Sequence, residues 1–366
     1  MKIYKFITQI SIAGCMLVGT PMLQGCMDNS LNDPLGKVSE EELGRDGFAA
    51  NAFFLTLCDY AYPIATENIY NTNESLIGDC YGRYQVMATD KFKGANFATY
   101  NAPENWLNWQ FADDNVMVLT YGAWNKIKNV TQGTGVNFAW AQILRIATMH
   151  RMLDMYGALP YSQISSDKLS APYDTMEEAY HAMFTDLTDA INVMTVYVTE
   201  NPNNRTMAKY DKVYDGDFEK WVKFANSLKL RMAIRIRFAD REYARQMAEE
   251  AINHSIGVIT SNEDNATSLG TKNQLYTVLV QWPDQCVSAD ITSYMKGYND
   301  PRMSKYFKKK TSDKGDDDYV GMRAGLSYGN DITGPTFSRI NVGEMDRTLW
   351  MSAAETAFNK AEAAML

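Results

Sequence analysis

The chain has 366 residues, 46% apolar and 22% charged, with 44 acids against 35 bases for a net charge of −9. A chain of this length can bury roughly three quarters of its unfolded surface, so it needs neither disulfides nor a structural metal to fold. Its apolar share excludes a disordered protein, and its acidic balance argues against a duplex-binding one.

Lys2 and Lys5 form a positive n-region, followed by an apolar stretch from Ile7 to Gly19 that Thr8, Gln9 and Ser11 interrupt. It is too short and broken for a membrane-spanning helix and reads as a secretory signal. The signal ends on Leu23-Gln24-Gly25-Cys26. This resembles a bacterial lipobox, which would make residues 1–25 a lipoprotein signal peptide and Cys26 the lipidated first residue of the mature chain. Acyl chains of the palmitate class contribute about 0.8 kcal/mol per buried methylene, so two or more anchor a protein stably. The alternative is an ordinary secretory signal with an incidental cysteine. Residues 26–38 are polar, with Pro34 and Gly36, and read as a flexible tether.

Helical periodicity dominates after the tether. The pattern predicts helices over Glu40–Leu57, Trp106–Val130 (with a break near Gly122) and Phe138–Met155, the last apolar on most of its circumference and stopped by Gly157 and Pro160. Thr175 and Glu178 make a capping box for a helix reaching Val198, and Asp217 is placed to cap an amphipathic helix through Arg235. A further helix, Arg241–His254, ends before Gly257, and the pair reads as the helical hairpin that repeat proteins stack. Three stretches lack helical period: Asn68–Asn105, Thr260–Gln285 and Lys310–Gly343, all read as long loops. Leu349–Leu366 is an alanine-rich helix without a stop signal, which suggests that a C-terminal portion is missing. The expected fold class is therefore mostly α, with a helical-hairpin scaffold carrying irregular loops.

Four stretches resemble the SusD/RagB family, in particular its SusD-like nutrient-binding outer-membrane lipoproteins. They are Asp154-Met155-Tyr156-Gly157-Ala158-Leu159-Pro160-Tyr161-Ser162, then Tyr214-Asp215-Gly216-Asp217 with Trp221 to Arg231 behind it, then Gly297-Tyr298-Asn299-Asp300-Pro301-Arg302-Met303, and finally Ala354-Glu355 with Lys360-Ala361-Glu362-Ala363. The lipobox fits the same family. On this resemblance residues 39–366 form one SusD-like, tetratricopeptide-like α-helical domain, lipid-anchored on the outer face of the outer membrane. It would bind a glycan, or in some members a peptide, and hand it to a SusC-like TonB-dependent transporter without catalysing a reaction. Each motif also has a plain reading as helix stop, cap or close-packing device, so the four are scaffold signatures rather than reaction centres.

Sugar capture needs flat rings for apolar sugar faces and amides or carboxylates for hydroxyls. The chain has 15 Phe, 7 Trp and 22 Tyr, many of them in the aperiodic stretches. Tyr81, Tyr84, Tyr100, Trp106, Trp109 and Trp282 are the candidate ligand-binding residues, with Asn96, Asn101, Asn105 and Asp284 as polar company. The competing explanation for each ring is that it anchors its loop onto the scaffold. Trp124, Trp140 and Trp221 lie on helices and belong to the core.

No nucleophile elbow, phosphate loop or dinucleotide fingerprint is present, and no cofactor is implied. Asp113, Asp114, Glu67 and Glu74 show no order that would make an acid–base pair. His150, His181 and His254 lack metal-ligand spacing, and Asp313–Asp318 lacks the order of a calcium loop and reads as solvated. Cys58, Cys80 and Cys286 make no disulfide framework. A Cys58–Cys80 bridge is one option, three buried hydrophobic thiols the other. A general tetratricopeptide-like scaffold that binds only proteins is the alternative function.

Overall fold

The structure is a computed structural model. It describes residues 48–62, 64–89, 97–102, 104–108, 116–164, 170–310, 318–326 and 336–366, nearly all within the compact unit Ala50–Leu366. Cys26, the tether, Trp109, Asn96, Asp113, Asp114 and Asp313 to Asp317 lie outside the described residues.

Helix α1 runs Phe48–Ala61, α2 Glu67–Tyr70, α3 Glu104–Asn108, α4 Val116–Thr131, α5 Gly135–Tyr156 and α6 Met176–Glu200. Then come α7 Phe218–Ile236, α8 Arg241–Ile252, α9 Gln274–Tyr276, α10 Ala289–Gly297, α11 Met303–Tyr306 and α12 Ala353–Ala363. Strands are short: β1 Gln85–Met87 pairs antiparallel with β3 Gln285–Val287, β2 Ala266–Thr267 with β6 Leu349–Met351, and β4 Phe307–Lys308 with β5 Arg339–Ile340.

The scaffold is α4 to α8 with each helix packed on the next, and α12 laid on α7 and α8. Helix α5 is central and buried around most of its circumference, as its sequence requires. Trp140 of α5 and Trp221 of α7 are fully buried with ring centroids 5.6 Å apart, and Phe54 of α1 stacks on Trp140 at 4.2 Å. Each such ring removes about 150–250 Å² from water, worth ~4–6 kcal/mol at 25 cal/mol per Å² before entropy is counted.

Three of the four family-like motifs prove to be latches in this scaffold. Asp154 accepts from the Tyr180 hydroxyl at 2.7 Å and pairs with Arg235 at 3.1 Å, tying α5 to α6 and α7. Gly157 ends α5 at φ 80°, a conformation that side chains resist. Asp174 then accepts from the backbone N–H of Tyr161 and Ser162 at 2.9 and 2.7 Å, and from the Ser162 hydroxyl at 2.6 Å. The buried Asp211 accepts from the backbone N–H of Val213, Tyr214 and Gly216 and from Trp221 Nε1, all at 2.8–3.0 Å. Glu355 grips Arg231 with both oxygens, at 2.6 and 2.8 Å, and Glu362 pairs with Arg237 at 2.9 Å, which fastens α12 to α7.

Several expectations need correction. Helix α4 runs unbroken through Gly122, because that position faces solvent and the flanking Tyr121, Ala123 and Trp124 are buried. The stretch after Asn68 is helical rather than a loop. Helix α2 continues as a π-helical segment over Asn71–Asp79, in which Thr72 Oγ1 donates to Asn68 O and Asn73 Nδ2 to Ile69 O. Short polar side chains that bond the backbone of the preceding turn widen a helix in this way. The last segment opens with β6 before its helix begins at Ala353. The capping box of Thr175 and Glu178 and the Asp217 cap stand where the sequence puts them.

Candidate functional site

The π-helical segment delivers the chain to β1 through the turn Tyr81-Gly82-Arg83-Tyr84, and a second small core sits beneath it. Leu76, Cys80, Val86, Met87, Phe97, Cys286 and Met322 fill this core, with Tyr81 and Trp106 packed on its edge. The hydrophobic floor fixes the segments whose outward-facing rings form the candidate site.

Tyr81 and Tyr100 stack with centroids 5.3 Å apart and planes 24° from parallel. Phe97, fully buried, lies 6.1 Å from Tyr81 and 5.9 Å from Trp106, so one buried ring braces two ledge rings. The Arg83 guanidinium lies over the Tyr100 ring at 5.5 Å from its centroid. Tyr100 is 66% exposed although it takes part in the stack. Two of the seven described non-glycine residues with positive φ meet at this spot: Arg83 has φ 61° and Tyr100 φ 60°. The left-handed region costs a residue with a Cβ ~1–2 kcal/mol, and such strain clusters at binding sites. Two neighbouring residues held there, one laying its charge on the other's open ring, form a preset platform.

Of the predicted residues, the structure thus gathers Tyr81, Tyr100 and Trp106. Tyr84 is 55% exposed but turns to a separate cleft. Trp282 packs with Ile64, Tyr70, Val278 and Leu279 and sits half-buried, so it anchors its own loop rather than joining the ledge. Asp284 is buried, Asn101 is exposed, and the side chain of Asn105 lies outside the description.

Sequence reading missed Arg83, which lies between Gly82 and Tyr84; a cation among loop tyrosines was the signal available. It also missed Tyr294 and Tyr298 of the α10 end, 66% and 74% exposed with centroids 4.9 Å apart. Their four-residue spacing looks like a core stripe in a sequence, and only the packing of α10 shows that the stripe faces water.

No group of three or more His, Cys, Asp or Glu residues suited to a metal occurs among the described residues. His150 is buried with Nδ1 2.9 Å from Ile146 O, and burial lowers its pKa to about 4, so it stays neutral. Glu74 is engaged by Arg151. Asp318 accepts from Lys296 at 2.5 Å. The three described cysteines are free and buried, Cys58 in the main core and Cys80 and Cys286 in the small one. Burial pushes the Cys286 thiol up to about 12 and the other two higher still, which makes all three inert hydrophobes.

The described fold is thus a helical scaffold that carries strained, exposed aromatics on its loops. The family model for SusD-like proteins, described as the SusD and RagB outer membrane lipoproteins, matches residues 30–366, and the chain belongs to that family. A SusD homolog from Bacteroides uniformis ATCC 8492 is 36% identical with a TM-score of 0.79 over 87% of this chain and 66% of its own. One from Bacteroides thetaiotaomicron VPI-5482 is 33% identical, TM-score 0.77, over 86% and 64%. A chitin-binding SusD homolog from Flavobacterium johnsoniae is 32% identical, TM-score 0.76, over 87% and 66%. The chain therefore spans just under two thirds of the length of these relatives. No match is found among curated proteins. No helix among the described residues is long and apolar enough to cross a membrane.

Proposed function

We propose that this chain captures a nutrient glycan, without chemistry, at the outer surface of the outer membrane. Residues 1–25 would serve as its signal peptide and Cys26 as its lipid anchor, and a SusC-like TonB-dependent transporter would receive the ligand. The single observation that carries the reading is the Tyr81–Tyr100 stack beneath Arg83, which stays open to solvent at the expense of two left-handed residues. An aromatic face takes up the C–H face of a pyranose, and a guanidinium beside it donates to ring hydroxyls. Loop anchoring alone would not require Tyr100 to stand two-thirds exposed. The chitin-binding relative supports a glycan over a peptide.

The test is native affinity electrophoresis of the purified chain through gels containing neutral polysaccharides, with a pull-down on insoluble chitin as first probe and reducing-sugar release followed in parallel. Retention on one of these probes without release of shorter sugars is the expected result. Free migration in every gel, with a blank glycan array, would overturn the glycan reading and leave a peptide-binding member of the family or a protein-binding scaffold.

A further inference from the structure

A cleft of about 500 Å³ opens beside the aromatic ledge, walled by the end of the π-helical segment, β1, the turn before α9, the α11–β4 corner and residues 340–349. Its volume is that of a small-molecule site rather than of a groove for an extended chain. The inner wall carries Tyr62, Tyr70, Asp79 and Gln85, and the mouth carries Tyr84 and Tyr306, 55% and 48% exposed. Of these six, sequence reasoning named Tyr84 alone as a ligand contact.

The polar groups of the wall suit a particular chemistry. Tyr62 and Tyr70 hydrogen-bond one another through their side chains, with ring centroids 6.4 Å apart. Gln85 Nε2 donates to Asp79 Oδ2 at 3.0 Å. Burial drives the Asp79 carboxyl up to about 7, so it is only partly ionised near neutral pH. The ionised groups Lys305, Asp346 and Arg347 are exposed at the mouth. Two residues of the cleft also hold buried polar atoms with no hydrogen-bond partner, Gln85 Oε1 and Thr348 Oγ1. A buried polar atom left unpaired costs about 1–3 kcal/mol, and an incoming hydroxyl would repay it.

We propose that this cleft is a second binding site, which takes one or two terminal residues of a neutral sugar chain, or a free mono- or disaccharide, while the outer ledge holds the chain's interior. The inference rests on the reading of the protein as a glycan binder. Tyr84 joins the two surfaces, since it stands three residues from Tyr81 and lines the cleft. The rings of Tyr84 and Tyr306 flank the entering sugar, Asn341 at the mouth offers its amide, and the unpaired atoms of the wall receive its hydroxyls.

The experiment measures two ligand classes on the full chain: free N,N′-diacetylchitobiose, cellobiose and maltose by saturation-transfer NMR and calorimetry, and the matching polysaccharides by affinity electrophoresis. Tyr306→Ala is expected to weaken the bound disaccharide about tenfold, equivalent to 1.4 kcal/mol, and to weaken polysaccharide retention much less, because the ledge still holds the chain's interior. Tyr100→Ala should do the reverse. Thr348→Val, which removes one unpaired hydroxyl at constant volume, should melt no lower than the parent and also weaken the disaccharide. Disaccharide binding unaltered in both Tyr306→Ala and Thr348→Val overturns the proposal. Polysaccharide retained with no disaccharide bound overturns the cleft alone, whereas neither class bound overturns the glycan reading with it.

Discussion

Replacing Tyr100 by glycine separates a ligand platform from a loop anchor. The substitution relieves a left-handed backbone, φ 60°, that disfavours a tyrosine by ~1–2 kcal/mol. Against this, it removes a stack with Tyr81 worth ~0.5–1.5 kcal/mol and the exposed Arg83 contact worth ~0.5–1. Glycine's extra freedom in the unfolded chain costs another ~0.5–1 kcal/mol. The terms nearly cancel, and the net destabilisation is about 1 kcal/mol, a few degrees in Tm for a domain of this size. Binding should suffer far more. A ring two-thirds exposed that meets a sugar face is expected to contribute at least about tenfold in affinity. Thermal melts and affinity electrophoresis on Tyr100→Gly, with Tyr100→Phe as the control that keeps both strain and ring, read the two quantities apart. A loss of about 3 kcal/mol or more, the scale of a truncated core aromatic, with retention intact would refute the platform and make Tyr100 a packing residue.

Two further outcomes follow from the scaffold and the cleft. Asp211→Ala strands four donors that now converge on one buried carboxylate, so a loss of about 3–5 kcal/mol is expected in urea unfolding; a loss under ~1 kcal/mol would show that water replaces the carboxylate. Asp79 titrates near 7 in the folded chain against 3.8 ordinarily, so the folded state binds the extra proton between those values and stability falls as pH rises through that window. Full linkage at 1.36 kcal/mol per pH unit gives an upper bound of ~4 kcal/mol, and partial exposure reduces it to about 2. Asp79→Asn should therefore gain about 2 kcal/mol on the parent between pH 4 and 8 by urea midpoint, and equal pH slopes for the two chains would refute the burial of that carboxyl.

The aromatic ledge and the cleft also show how differently two kinds of residue are written in a sequence. Gly157, Asp217, Thr175 and Glu178 act within a turn or two of themselves, so caps, stops and the amphipathic stripe of α7 can be read directly and the helical-hairpin class follows. The family motifs are visible for the same reason, although what Asp154 and Glu355 hold, Arg235 and Arg231, lies 81 and 124 residues away. The loop aromatics were recognisable only as a surplus without helical period. Whether a ring is wet or sealed depends on what folds beneath it, and no local pattern distinguishes Tyr100, stacked in the open, from Trp282, tucked against Val278. Tyr294 and Tyr298 mislead in the opposite sense, because a four-residue repeat fixes a shared face and leaves open which way that face turns.

By itself, then, the amino-acid order determined the main scaffold helices, their caps and the family motifs, since these are written within a few residues of one another. Tertiary structure alone decided which rings face water, which carboxyl keeps its proton and where a cavity opens. Those properties belong to residues brought together from segments such as 79–85, 305–307 and 340–349, and burial is a collective outcome of packing that no single segment encodes.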